Sequence, residues 1–186
     1  MHRHAAFFIF LTVLLCLARP AAAQSIALSN LVVDNQEGRI KVRFGVDIKN
    51  LDAVKDALAD GQTLLLECRA TLSLKREYAW NKDVAKAELK SVFSMPSTGG
   101  SYEIVLPAKH QERFRSRDAS LVMKEAWSEL AMDLGAWNLL AKGNDYALML
   151  EIRLLRQNVP TWVKGTLFFW NFDAVPAGKY QLDFSY

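Results

Sequence analysis

The stretch Leu64-Leu65-Leu66-Glu67-Cys68-Arg69-Ala70-Thr71-Leu72-Ser73-Leu74-Lys75 decides the fold class. Leu64, Leu66, Cys68, Ala70, Leu72 and Leu74 fall on one side of a two-residue repeat, and Leu65, Glu67, Arg69, Thr71, Ser73 and Lys75 fall on the other. An extended strand sends successive side chains to opposite faces, so this segment has one apolar face and one largely polar one. Antiparallel sheets accommodate such strands, because one face can meet water. Cys68 then points into the core, where burial keeps a thiol protonated and inert; the alternative is a thiol offered to a partner.

The same period recurs on both sides. Upstream, Ile40, Val42, Phe44, Val46 and Ile48 alternate with Lys41, Arg43, Gly45, Asp47 and Lys49. Downstream, Tyr102, Ile104 and Leu106 give a short strand, and Tyr146, Leu148, Leu150, Ile152 and Leu154 a long one. Residues 165–172 and 180–186 supply two more, and 26–33 a weaker one. Residues 84–93 contain helix-favouring Ala, Lys, Glu and Leu, yet Ala85, Ala87, Leu89, Ser91 and Phe93 line one strand face, which favours a strand. Gly, Pro and Asn gather at 35–38, 96–100, 158–160 and 175–178, where hairpins or short loops are expected.

Two helices interrupt the strands. Asn50 is placed to cap a short helix over 51–60, with Leu51, Val54 and Leu58 on one side and Gly61 past its end. A longer helix is expected over 118–134, with Met123, Ala126, Trp127, Leu130 and Leu134 on one stripe and Gly135 as its stop. Its opposite side, Lys124, Glu125, Ser128, Glu129 and Asp133, should face water. The expected fold is mainly β or α+β: an antiparallel curved sheet or sandwich of seven or eight strands, with the long amphipathic helix over one opening and one short helix.

Arg3, an apolar run over 5–17 and Ala21-Ala22-Ala23 before Gln24 have the layout of a cleavable secretory signal. Arg19-Pro20 breaks the run short of the about 20 apolar residues a membrane span needs. Cys16 follows Leu14-Leu15 rather than a small residue, a poor match to a lipoprotein anchor. The expectation is a signal over 1–23, then a single exported, periplasmic domain over 24–186 in a Gram-negative envelope, with no stable membrane span after cleavage. Cleavage takes Arg3 and Arg19 and no acidic residue, so the formal net charge falls from +3 to +1. A near-neutral domain has no broad electrostatic case for nucleic acid or for an anionic membrane.

After that cut one histidine, His110, and one cysteine, Cys68, remain. Zinc sites draw on several such ligands, and a triad would depend on His110, which sits in the charged run Lys109-His110-Gln111-Glu112-Arg113 and reads as solvated. Glu67, Glu77, Asp145 and Glu151 lie on or near strands, but nothing selects a glycosidase-type pair among them. No catalytic residue, metal ligand or cofactor is assigned, and a non-enzymatic role is expected.

Two arginine-aromatic clusters are the candidate interaction surfaces. Lys75-Arg76-Glu77-Tyr78-Ala79-Trp80-Asn81-Lys82-Asp83 interleaves charge with two rings. Arg76, Tyr78 and Trp80 suit a partner contact, or else both rings pack on the sheet. Arg113-Phe114-Arg115-Ser116-Arg117 surrounds one phenylalanine with three arginines. Arg113, Arg115 and Arg117 could grip a phosphate, a carboxylate or an acidic protein, or form a solvated lead-in to the helix.

Several features taken in order resemble an exported bacterial family catalogued as domain of unknown function 4390. They are the signal segment, a helix end and apolar strand over 57–66 with Asp60-Gly61, Arg76 to Trp80 followed by Asn81-Lys82-Asp83-Val84, a helix over 126–134, and a strand running into Val159-Pro160. The resemblance covers nearly all of the chain after the signal. It implies an exported β-rich domain and supplies no activity, cofactor or catalytic residue.

The expected role is a module that contacts another envelope component, in the first instance a protein. Two alternatives stand beside it. One is a carrier whose sheet and helix enclose an apolar ligand in a pocket lined by Phe, Trp and Leu. The other is a small outer-membrane β-barrel, with Tyr180, Leu182, Phe184 and Tyr186 alternating along a last strand and Phe168, Trp170 and Phe172 in an aromatic girdle.

Overall fold

A computed structural model describes residues 25–49, 51–96, 100–106, 112–157 and 173–186. The signal segment, the Asn50 cap, the His110 run up to Gln111, and the strand and girdle expected over 165–172 lie outside the described residues. Within them run β1 (Ser25–Gln36), β2 (Arg39–Lys49), α1 (Asp52–Ala59), β3 (Leu64–Leu74), β4 (Lys82–Ser94), β5 (Tyr102–Leu106), β6 (Glu112–Ser116), α2 (Ala119–Trp127), β7 (Leu130–Ala136), β8 (Asp145–Arg156) and β9 (Asp173–Ser185). The strands form two antiparallel sheets, one ordered β1-β2-β7 and the other β6-β5-β4-β3-β8-β9.

The opening strand behaves as its period demands. β3 lies at the centre of the larger sheet, in unbroken register with β8 from Leu64↔Arg156 to Leu74↔Tyr146. Leu64, Leu66, Cys68, Ala70 and Leu72 are buried, as are the partners Leu148, Leu150, Ile152 and Leu154 on β8. Ile40, Val42, Phe44, Val46 and Ile48 of β2 enter the same core from the smaller sheet. Cys68 is fully buried, and desolvation pushes its thiol up to about 12, with the Glu67 carboxylate adding to the rise.

α1 ends where expected. The N–H of Gly61 bonds the Leu58 carbonyl and that of Gln62 the Ala57 carbonyl, both at 3.0 Å, with Gly61 at φ +74°. That pair of bonds needs a left-handed residue, which glycine adopts without a Cβ clash.

The expected long helix is half helix and half strand. Asp118 caps α2 by accepting the Ser120 N–H at 2.8 Å, and Val122, Met123, Ala126 and Trp127 form its buried face. The helix stops at Trp127, and Leu130, Met132 and Leu134 are buried as alternate residues of β7. Gly135 is therefore not a helix stop but a strand residue opposite Ile40, at a break in the β2–β7 register. Leu130 and Leu134 satisfy both periods, and the free edge of β2 resolves the ambiguity by supplying ladder partners.

Asp133 shows the gain. Its carboxylate accepts bonds from Arg39 Nε, from Lys41 Nζ at 2.9 Å and from the Gly135 N–H at 2.8 Å. Arg39 first, then Lys41, hold its pKa well below the usual carboxylate range. A depressed folded-state pKa contributes stability that is present above the unfolded value of about 3.9 and is lost as pH falls below it. Asp133→Asn is expected to cost on the order of 1 kcal/mol at neutral pH. Urea titrations should show that deficit narrowing below about pH 4; a deficit unchanged in acid would mean that the ion pairs contribute nothing.

Two loops were expected where strands run. β6 pairs with β5 from Tyr102↔Ser116 to Leu106↔Glu112, so Arg113, Phe114 and Arg115 lie in a sheet and not in a solvated lead-in. The cluster Val175 to Gly178 lies inside β9, where the pairing with β8 is irregular between Ile152 and Leu155. β9 ends the larger sheet, and a proline missing its N–H fits an edge strand at a bulge.

The sheets meet along β1 and β9, where the Tyr180 hydroxyl donates to the Ile26 carbonyl at 2.7 Å, and again along β4 and β7. Tyr180, Leu182, Phe184 and Tyr186 pack against the core, while Lys179, Gln181, Asp183 and Ser185 are exposed. The aromatic face of β9 thus looks inward, and the outer faces of β3, β4 and β8 carry Arg69, Glu88, Lys90 and Glu151. That is the reverse of a lipid-facing barrel band. Among the described residues no helix is long and apolar enough to cross a membrane.

Candidate functional site

β3 and β4 are the two long arms of a hairpin, paired out to Leu74↔Lys82. Beyond that pair, residues 75–81 project as a tip in which every residue is exposed. Tyr78 keeps 96 % of its surface in solvent and Trp80 keeps 95 %. Neither ring packs on the sheet, so the packing alternative for the cluster does not hold. Arg76 is exposed beside them.

The root of the tip is tied down. The Lys75 N–H donates to the Asp145 carbonyl at 2.8 Å, and its ammonium reaches Asp183 at 3.3 Å. Asp83 accepts the Ser73 hydroxyl at 2.9 Å and pairs with Lys86 at 2.7 Å. Lys86 first, then Ser73, lower the Asp83 pKa; Gln181 first, then Lys75, lower that of Asp183. Both carboxylates therefore favour their ionised form, and the Ser73–Asp83 and Lys75–Asp183 contacts join the root of the tip to neighbouring strands.

The topology brings further groups to the same end, which single-segment patterns did not reveal. The turn between β7 and β8 lies there, because the Gly143 N–H donates to the Tyr186 carbonyl and Tyr146 pairs with both Leu74 and Phe184. Trp137 packs edge-on against Tyr186 with ring centres 5.3 Å apart, and its backbone N–H donates to the Gly38 carbonyl of the β1–β2 turn. On the β7–β8 turn Leu139 is 46 % exposed, and Lys142 is exposed beyond it.

The second candidate surface is largely spent. Arg115 donates twice to Glu103 Oε1, at 3.0 and 3.2 Å, and Arg113 approaches the same oxygen at 3.8 Å. Phe114 packs against the core, and Arg117 stays exposed before α2. Two of the three arginines thus neutralise a buried acid.

The carboxylates considered for acid-base work are dispersed. Glu67 is buried, although it lies on the face expected to meet water, between Arg69 at 3.0 Å and Lys90 at 3.6 Å. Glu151 pairs with Lys179 at 3.6 Å, Asp145 accepts from Ser185, and Glu77 is on the tip. Among the described residues no three His, Cys, Asp or Glu side chains are grouped to hold a metal ion. An open cleft of about 510 Å³ lies between β4 and β7, with Leu89, Leu106, Leu130 and Met132 in its floor and Glu88, Glu112, Glu129 and Asp133 around it.

The family model described as Domain of unknown function (DUF4390) matches residues 23–182. The chain belongs to that family. The match runs from before β1 into β9, so membership in DUF4390 covers both sheets and the tip between β3 and β4. No curated protein and no solved structure matches the chain. Membership in DUF4390 assigns no reaction and no ligand, and the site has to be read from its own geometry.

Proposed function

We propose that this DUF4390 chain is an exported, non-enzymatic docking module of the bacterial envelope, which presents Arg76, Tyr78 and Trp80 to another envelope component. The observation that carries the reading is the near-complete exposure of two rings on a hairpin whose root is joined to neighbouring strands by the Lys75–Asp183 pair and the Ser73–Asp83 hydrogen bond. Tyr, Trp and Arg recover the most energy when a partner desolvates them. Exposed rings contribute little to folding, so their placement at a tip favours binding over packing.

Replacing Arg76, Tyr78 and Trp80 together by alanine should abolish co-purification of the partner from envelope extracts while moving stability by less than about 0.5 kcal/mol. Partner retention, or loss of the fold, would sink the reading. Fractionation tests the export step, with the chain expected in the periplasm, beginning at Gln24 and needing no detergent for release.

The cleft between β4 and β7 supports a second reading, a carrier of an apolar ligand. Its lining includes Leu89, Leu106, Leu130 and Met132, but no residue of α2, whose Val122, Met123, Ala126 and Trp127 are buried in the core. Native mass spectrometry of protein taken from its own envelope should then show a retained small molecule, and repeated ligand-free spectra would reject the carrier.

A further inference from the structure

Resting on the docking reading above, we infer that the tip's partner is the surface of an anionic phospholipid bilayer, with Tyr78 and Trp80 at headgroup depth and Arg76, Lys82 and Lys142 on lipid phosphates. The shape of the tip is the first argument. Protein hot spots sit inside a surrounding ring of contacts that excludes water, and here the neighbours Glu77, Ala79 and Asn81 are themselves exposed on the projecting tip. The headgroup layer closes around a protrusion of this kind and buries both rings together.

Chemistry is the second argument. Trp and Tyr combine an apolar body with a polar handle and are the side chains that settle at a membrane interface. Among the described residues six large apolar side chains stand exposed, Val32, Tyr78, Trp80, Leu121, Leu139 and Met149, and three of them lie at this one end. Leu139 on the neighbouring turn gives the end a second apolar point, with Lys142 close behind it in sequence.

Charge is the third. At the stem Asp83 pairs with Lys86 and Asp183 with Lys75, while Asp145 accepts the Ser185 hydroxyl and keeps its charge. Arg76, Lys82 and Lys142 form no ion pair among the described residues, and Glu77 is the one acid on the tip itself. Each cation near an anionic surface contributes about fivefold in affinity, an effect that salt screens.

The test is co-sedimentation of the purified protein with vesicles of phosphatidylcholine containing phosphatidylglycerol, against phosphatidylcholine alone. Binding is expected to the mixed vesicles and to weaken at high salt. Tyr78→Ala with Trp80→Ala should lower it by at least about tenfold, and Arg76→Gln with Lys82→Gln should remove most of the preference for phosphatidylglycerol. Trp80→Phe should abolish the vesicle-induced blue shift in emission, identifying that ring as the inserted one. Urea midpoints equal to wild type establish that these variants are folded. No binding to the mixed vesicles, or binding unchanged in the double alanine variant, overturns the bilayer inference. If the wild type ignores vesicles but the triple alanine variant loses a protein partner from extracts, the docking reading stands and the lipid partner falls; loss of both removes the docking reading as well.

Discussion

Trp127→Ala is expected to remove about 3–5 kcal/mol of stability, the largest loss for a single truncation among the described residues. The ring is fully buried at the end of α2. Its Nε1–H donates to the Ser91 hydroxyl on β4 at 3.0 Å, and its edge meets Phe93 with ring centres 5.6 Å apart. Phe93 in turn lies 6.1 Å from Tyr102 on β5, so one side chain joins the helix to two strands of the larger sheet. Truncation leaves a cavity that the flanking sheet cannot close, and it takes a donor from buried Ser91, whose own hydroxyl still reaches the Val105 carbonyl at 3.3 Å. Trp127→Phe keeps most of the volume and should lose clearly less. Urea unfolding followed by far-ultraviolet circular dichroism measures both, and a loss under about 1 kcal/mol for the alanine variant would mean that α2 is not seated as described.

Gly45→Ala is expected to cost about 1–3 kcal/mol through overpacking, although alanine ordinarily suits a strand better than glycine. Gly45 lies on β2, beneath the chain that leaves α2 for β7. A Cβ built there would collide with the Ser29 hydroxyl on β1 and come within 2.6 Å of the Ser128 carbonyl oxygen. The serine side chain can rotate away; the backbone carbonyl moves only with the connection that carries it. Adding Ser29→Ala should therefore recover little, and full recovery in the double variant would show that the Ser128 backbone is not the obstacle.

The errors of the sequence reading share one cause. Leu130 and Leu134 continue the stripe begun by Met123, Ala126 and Trp127, so a local period extends the helix, while Leu130, Met132 and Leu134 alternate equally well as a strand. Asp133 separates the two: as a helix residue it would face water, and as a strand residue it meets Arg39 and Lys41 across the ladder. That pairing partner lies more than 90 positions away, beyond any window of neighbouring residues. The strand at Glu112–Ser116 was missed similarly, because Phe114 is its one apolar residue and its charges make sense only opposite Glu103 on β5.

What the sequence determined by itself is the set of strands with an unbroken apolar face, β2, β3 and β8 above all, together with the start of α2 near Asp118 and the Gly61 end of α1. Each follows from side-chain geometry within a few residues, as does the burial of Cys68 on the inner face of β3. The tertiary structure decided the rest. Glu67 became buried because Arg69 and Lys90 close over it, and Arg113 and Arg115 were drawn to Glu103. Tyr78 and Trp80 were left in solvent because the β3–β4 ladder ends at Leu74↔Lys82. Whether a ring near a strand end packs or projects depends on where pairing stops and on what surface lies beneath it, and both are properties of the assembled sheets rather than of the residues that carry the rings.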